Sequence, residues 1–487
     1  MTDILAAGAA VLVAGFPGAW LMARRLPLAL LLVPLTAGLT ATAAVLLMLV
    51  AGGALVWWAL LLVAGQCVLL LRAVHRGPGR PLPHAGWLDS LCYVVPLLPP
   101  LTTVRLVPVQ WDAHAIWWLH AGYFALDSAT ARSAIGDSRL AFSHTDYPPL
   151  LSAVVAGAWR VGGADLRVAQ FTSTLVTAAG FALLAYAVRA NTAGLVPAWA
   201  SRLAAAVVAL AAWGFYPVGV VEGLADSLWA ATFAAGAVFL LVGRDGTERD
   251  GQPRDGPEPR AGGDGRGVPE GSSRLSRLVV APVGRLALPV LLLTVAALVK
   301  TEGSVAVTEL AVVATLRYRR RLGAIWPVWL PVIAGQCWSR LAARLGATSD
   351  LVAGGHFTGL LQGDPAVWNR LPPTVDSLWS LLWPVTVPAL AAAVLGAVFL
   401  GGRRAVLGLG GDGWLWLTYA LFLATLFITY LTSPNDINWH LSTSANRIIG
   451  PLCLLAVVSA VFWGIVGAHS LSRPPAAAAT PAAAPRP

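Results

Sequence analysis

Between Arg25 and Arg72 the chain carries no charged residue, and apolar runs of this kind recur to the end of the sequence. A bilayer core takes about 20 apolar residues per helix. Inside hydrocarbon every backbone N–H and C=O must be satisfied internally, which a helix does within one segment. The runs therefore predict an all-α polytopic membrane protein. Composition agrees: of 487 residues, 57% are hydrophobic and 11% are charged, where ordinary soluble domains carry about 25% charged residues.

The net charge of +10 does not point to nucleic acid. The arginines fall mostly in short loops between apolar runs, which is the positive-inside pattern, and no basic stripe or stacking platform accompanies them. Cys67, Cys92, Cys337 and Cys453 lie within or beside apolar runs and do not pair at metal-ligand spacing, so they read as small hydrophobes. The first run leads straight into a second, which marks a retained span instead of a cleaved signal. Much Ala, Gly, Arg and Trp with little Lys suggests a high-GC, actinobacteria-like genome.

About thirteen spans follow from the 20-residue ruler. They fall near 3–23, 27–50, 53–72, 89–108, 165–188, 203–220, 224–242, 285–299, 303–316, 324–344, 378–400, 414–432 and 447–468. The two runs flanking Lys300-Thr301-Glu302-Gly303 are short, which predicts tilt or a break there. Arg24-Arg25, Arg72, Arg76, Arg80, Arg189, Arg202, Arg317, Arg319, Arg320, Arg321, Arg403 and Arg404 then share one side, the cytoplasmic one. The N-terminus is placed outside and the C-terminus inside, in a plasma membrane.

The divisions are 1–108, N-terminal transmembrane helices; 109–163, an outer loop with juxtamembrane helices; and 164–242, transmembrane helices. They continue as 243–283, a disordered cytoplasmic loop rich in Gly, Pro, Arg and Asp; 284–471, C-terminal transmembrane helices; and 472–487, a Pro/Ala tail. Within the outer loop, 147–160 is apolar but short and Pro-flanked, so it is expected to lie along the membrane surface. No short internal repeat and no inverted pair of interrupted helices is visible, which weakens a transporter reading.

The same count sends Asp112, Asp146, Glu222, Asp226, Lys300, Glu302, Asp436, His440 and Arg447 to the outer ends of spans. Ionisable groups at a membrane edge are costly and mark function. Asp112 sits among Trp111, Trp117, Trp118 and Tyr123, with His114 beside it. It is either a solvated acid in an interfacial aromatic belt or a carboxylate that takes a proton from an acceptor hydroxyl. His144, Asp146 and Tyr147 precede Pro148-Pro149, either as a capped helix start or as part of a site. Glu222 and Asp226, four apart, share a face if the helix has begun; they could serve its dipole, hold a divalent cation or hold sugar hydroxyls. Lys300 needs a partner, and a lipid phosphate would suit it; Glu302 stands too near in sequence to face it. Arg447, read as opening the last span, offers a planar fork for phosphate at a helix N-terminus. His440 and Trp439 precede it.

In order and spacing, these stretches resemble the GT-C class of polytopic glycosyltransferases, which use polyprenyl-phosphate sugars. The likeness is to bacterial relatives of the protein-mannosyltransferase and aminoarabinose-transferase families. It rests on Trp111-Asp112-Ala113 with Ile116-Trp117, Asp146-Tyr147-Pro148-Pro149-Leu150, Ala225-Asp226, Lys300-Thr301-Glu302-Gly303, and Trp439-His440-Leu441-Ser442-Thr443-Ser444 with Arg447. The resemblance implies a GT-C-like helical bundle with its active site outside, in the cell envelope. Asp112 would be the base that activates an acceptor hydroxyl on a glycan, glycolipid or protein. A single inverting displacement would release lipid phosphate to Lys300, His440 and Arg447. Trp111, His114, Trp117, His144, Asp146, Tyr147, Glu222, Asp226, Glu302 and Trp439 would surround the sugar and the acceptor. Either no cofactor is needed or a divalent cation (Mg or Mn) helps, with Asp112, Glu222 and Asp226 as ligand candidates. The chain departs from many members in three extra N-terminal spans, in lacking a large soluble outer domain after the last span, and in carrying His114 where a second acid would stand. The competing reading is a lipid or polysaccharide transporter with a polar outer vestibule.

Overall fold

The computed structural model describes residues 1–75, 82–84, 86–98, 110–216, 221–242, 274–348, 354–399 and 412–472. It is 87% helical, with no strand among the described residues. The main helices are α1 (Thr2–Ala23), α2 (Leu26–Ala51), α3 (Leu55–His75), α4 (Trp87–Val94), α5 (Leu150–Gly162), α6 (Leu166–Thr192), α7 (Ala198–Phe215) and α8 (Asp226–Ala237). Then follow α9 (Arg274–Val299), α10 (Thr301–Arg317), α11 (Leu330–Arg344), α12 (Leu371–Phe399), α13 (Asp412–Thr432), α14 (Ile437–Ile448) and α15 (Gly450–Ser472).

Among the described residues, eight helical runs are long and apolar enough to cross a membrane. They are α1, α2, α3, α6, α7, Pro365–Gly396, α13 and Ile437–Ile465. Trp87–Leu97, Leu150–Gly162, Asp226–Val242 and Leu286–Val299 are apolar but shorter. α6 is the central helix, buried over most of its length, whereas α3 buries almost none of its residues. The exposed face of α3 carries Trp57, Leu60, Leu61, Val68, Leu69 and Leu71. A contiguous apolar surface of that extent is untenable in water, so the architecture is that of a membrane-embedded protein.

The two ends of the bundle differ in chemistry. At one end Leu82 N–H bonds the Ala23 carbonyl at 3.2 Å, and Tyr186 Oη bonds the Pro83 carbonyl at 3.1 Å. Asp89 accepts from Arg189 at 3.1 Å and Arg202 at 2.8 Å. Tyr318 Oη donates to the Leu240 carbonyl at 2.9 Å, bringing the α10 end and Arg319–Arg321 to the end of the Asp226–Val242 run. Phe239 of that run packs on Tyr186. Asp89, Arg189, Arg202 and Arg319–Arg321 thus gather at this end. At the other end Arg132 Nε holds the Leu49 carbonyl at 2.8 Å, Gln170 Nε2 holds the Val221 carbonyl at 2.9 Å, and the remaining ionisable groups meet.

Two expectations about segments change. The stretch expected to lie along the membrane surface is α5, and nearly every residue from Leu150 to Ala158 is buried. Its Leu150 end packs on Gly38, midway along α2, while Gly162 meets Asp3 and Ala7 at the start of α1. α5 is therefore covered by protein over its first two turns, while Arg160 and Val161 near its end are exposed. A short apolar helix looks interfacial in sequence because length alone decides it; here neighbours cover its other faces. Of 243–283, residues 243–273 lie outside the described residues, while 274–283 form the start of α9, not a disordered stretch. The tail from 473 also lies outside the described residues.

The turn between α9 and α10 fixes the site. A Cβ on Gly303 would strike the Ala296 carbonyl, so only glycine lets α10 fold back this tightly against α9. The expected break at Lys300-Thr301-Glu302-Gly303 is thus a tight reversal between two helices.

Candidate active site

Five segments far apart in sequence converge on one pocket of about 430 Å³. Trp111, His144, Tyr147, Lys300, Glu302, Trp439, His440 and Arg447 all line it. Its volume is that of a small-molecule site, for which about 300–1,000 Å³ is usual.

Asp112 stands at the mouth and forms an ion pair with Arg447, 335 residues further along the chain. Both side chains are about one-quarter exposed, at 25% and 24%. The Asp112 backbone opens a helical segment whose next turn, Ala113–Trp118, is widened to a π-turn. Such single π-turns inside α-helices recur at functional sites. His114 packs edge-on against Trp118, centroids 4.9 Å apart, and Trp118 Nε1 reaches Ser173 at 3.4 Å. His114 is therefore packed below Asp112, not in the pocket wall.

Arg447 differs from its expected placement. It lies in the last turn of α14, not at the start of a helix. Asp436 caps that helix by accepting the Trp439 N–H at 2.9 Å, so the polar stretch 437–448 is helical. Its hydroxyls turn back on the helix: Ser442 and Thr443 each donate to the Trp439 carbonyl at 2.9 Å, and Ser444 to the His440 carbonyl at 2.7 Å. A guanidinium at a helix C-terminus is favoured by the dipole, so the argument from an N-terminal anion site falls away. The fork remains. Arg447 has five donors, and Nε has no partner among the described residues.

Tyr216 holds this arginine in place and was not foreseen. Its hydroxyl donates to the Arg447 carbonyl at 3.2 Å. A Cβ at Gly450 would fall on that hydroxyl. The Gly450-Pro451 step, where α14 gives way to α15, was the sequence signal.

Lys300 is the only lysine of the chain and is buried. Its ammonium pairs with Asp226 at 2.8 Å and with Glu302 at 3.1 Å and lies 5.6 Å from the Tyr147 ring centre. Glu302, which sequence separation set too near to face Lys300, does reach it, because the backbone reverses between them. Two of the three ammonium donors are thereby engaged, so Lys300 can offer a phosphate one hydrogen bond. Glu302 Oε2 is buried with no partner among the described residues.

Glu222 and Asp226 do not share a helix face. The helix begins at Asp226, and Gly223, with φ +78°, turns the chain between them. Asp226 turns inward to Lys300. Glu222 takes a hydrogen bond from Gln110, while partial burial raises its carboxyl above the usual carboxylate range. Asp112, Glu222 and Asp226 thus serve three different partners, Arg447, Gln110 and Lys300. No three His, Cys, Asp or Glu side chains gather to hold an ion among the described residues.

Aromatic stacking builds the wall. Tyr147 is sandwiched between the His144 ring at 4.7 Å and the Trp117 ring at 5.6 Å. Trp117 is buried behind Tyr147 and supports it instead of facing a ligand. His144 adopts φ +53°, which turns the chain sharply before Pro148-Pro149. Asp146 does not cap α5; Pro149 holds that position, and the Asp146 carbonyl accepts from Trp338 Nε1 at 2.8 Å. His440 meets Tyr430 edge-on at 4.9 Å, and Tyr430 is bonded to Ser444 at 2.9 Å.

The inner end of the pocket was not foreseen. Thr425, Thr429 and Phe422 of α13 line it opposite Glu302 and Val305 of α10. One turn deeper, Thr425 Oγ1 donates to Glu309. Glu302, Val305 and Glu309 lie at helical spacing on one face of α10, which the sequence carried but which was passed over inside an apolar run.

No family model, no curated protein and no solved structure matches the chain. What the pocket does must therefore be argued from its chemistry.

Proposed function

We propose that the protein is a membrane glycosyltransferase of GT-C type. It would move a sugar from a polyprenyl-phosphate donor to an acceptor hydroxyl on the extracytoplasmic side. The observation that carries this reading is the meeting of Asp112 and Arg447 at the mouth of one aromatic pocket with Lys300, Glu302 and His440 in its wall. Inverting transfer from a lipid phosphate needs a proton acceptor on one side of the anomeric carbon and a group that binds the leaving phosphate on the other, and the pocket and its mouth offer both kinds of side chain.

In this mechanism the phosphate lies on the unused Arg447 donors, with His440 and the third Lys300 donor beside it. Asp112 takes the proton of the acceptor hydroxyl. That oxygen forms a bond to the anomeric carbon while the bond to the phosphate oxygen breaks. The electron pair leaves with the lipid phosphate, whose developing charge Arg447 stabilises. The configuration inverts. Glu302 Oε2 accepts only, so it suits a sugar hydroxyl. His144 and Tyr147 form the adjoining wall.

The wider architecture is read in the same way. The helices alternate between the basic and the polar end, which fits thirteen crossings if α4, α8, α9, α10 and α11 count with the eight long runs. The basic end is then cytoplasmic by the positive-inside rule, and the site faces outside.

Arg447→Ala tests the reading. It should weaken binding of polyprenyl phosphate, measured in detergent micelles by ³¹P NMR or calorimetry, by about 10- to 100-fold, since a charge-assisted bond contributes about 1.5–3 kcal/mol. Unchanged affinity would remove Arg447 from the phosphate site.

One observation favours the transporter reading: Glu309, a partly buried acid midway along α10. Intramembrane acids mark transport paths. Lipid movement across proteoliposomes without any sugar transfer would select that alternative.

A further inference from the structure

The rim of the pocket has a chemistry of its own. Trp111 and Trp439 both line the pocket, yet they are 56% and 58% exposed. Phe142, 50% exposed, packs 5.8 Å from the Trp111 ring. Beside Trp439, the outer face of α14 presents Asn438, Ser442, Thr443 and Asn446, all exposed. The spacing of Asn438, Ser442 and Asn446 is four and four, so they form one ridge. None is charged. The Ser442 and Thr443 hydroxyl hydrogens are spent on the Trp439 carbonyl, which leaves oxygen lone pairs facing outward. The two asparagine amides supply donors and acceptors.

We infer that this rim is the docking surface for the acceptor, and that the acceptor is a neutral glycan. The pyranose or furanose face with its C–H bonds is apolar and weakly positive, and it complements the negative face of an indole. The ring hydroxyls at the edges complement the amide and hydroxyl ridge of α14. The α14 ridge itself carries no charged side chain, and Lys300 and Arg447, which line the pocket behind it, are each held by an acid. A peptide that docks by adding a strand to a sheet edge would find no strand among the described residues. The inference rests on the transferase reading for the word acceptor, but binding can be measured without turnover.

The test uses the full chain in lipid nanodiscs and saturation-transfer NMR. The probes are maltohexaose, mannohexaose and an arabinan oligosaccharide, with an uncharged Ser/Thr-rich peptide as comparison. At least one oligosaccharide should receive saturation at its ring C–H protons. Trp439→Ala should weaken that binding about three- to tenfold, the range expected for one aromatic stacking contact. Trp439→Phe should restore most of it, and Trp57→Ala, on the exposed face of α3, should leave it unchanged. The inference is overturned if the peptide binds and no oligosaccharide does, or if Trp439→Ala binds as the native protein does. In the second case Trp439 is a membrane-interface anchor. Failure of the transferase reading looks different: glycan binding persists while polyprenyl phosphate does not bind.

Discussion

Asp112 and Asp226 are both acids paired with a base in the same region, and replacing each by Asn should have opposite consequences. Asp112→Asn keeps the shape and an acceptor oxygen for Arg447 but removes the basic carboxylate. The Asp112 side chain is 25% exposed, so solvent screens the pair, and its loss costs about 0.2–1 kcal/mol. In a chain of this size that shifts the unfolding midpoint by no more than about 2 °C. Sugar transfer should fall by about 10²- to 10⁴-fold, the usual worth of a general base, or about 3–5 kcal/mol of barrier. Asp226→Asn acts on a pair whose side chains are 3% and 6% exposed. It leaves Lys300 with Glu302 alone, and a broken buried pair costs about 3–5 kcal/mol. That variant should unfold early or fail to accumulate. The assay is transfer from a panel of polyprenyl-phosphate hexoses and pentoses in proteoliposomes, read by mass spectrometry, with thermal unfolding on the same preparation. If Asp112→Asn transfers within about threefold of the native rate, Asp112 is not the base. If it unfolds as readily as Asp226→Asn, Asp112 is a structural acid and the separation of roles fails.

Three further outcomes are expected. Gly450→Ala should destabilise by about 1–3 kcal/mol in a thermal melt, as overpacking does, because the new methyl group meets the Tyr216 hydroxyl and ring; an unchanged midpoint would refute that contact. Asp89→Ala should cost about 3–5 kcal/mol, since it strands buried Arg189; size-exclusion profiles of detergent-solubilised protein would show aggregation, and normal yield and melting would refute a structural role. In a background without the four native cysteines, Ser138→Cys should label with an impermeant maleimide from outside intact cells, whereas Arg320→Cys should label only after permeabilisation. The reverse pattern would invert the proposed orientation.

Much of the site was legible because a lone polar cluster stands out against an apolar chain. Trp111, His144, Tyr147, Lys300, Glu302, Trp439, His440 and Arg447 were each marked by that contrast, and they line one pocket. Partners were less legible. Glu302 was set too close to Lys300, Glu222 was put on a face with Asp226, and Arg447 was put at a helix start. Each error came from assuming regular geometry through a turn. The reversal at Lys300, the turn at Gly223 and the cap at Asp436 decide where those side chains go.

By itself the sequence determines the class of solvent this protein lives in and where its longest apolar helices fall. Those properties are local: hydropathy summed over about 20 residues decides them. It also determines which residues are costly enough to need a reason. Only the tertiary structure decides which of them meet. The pairing of Asp112 with Arg447, the burial of Lys300 between Asp226 and Glu302, and the hold of Tyr216 on the Arg447 carbonyl join segments remote in the chain. Such contacts depend on how helices cross and where glycines let them close, and no window of sequence contains that information.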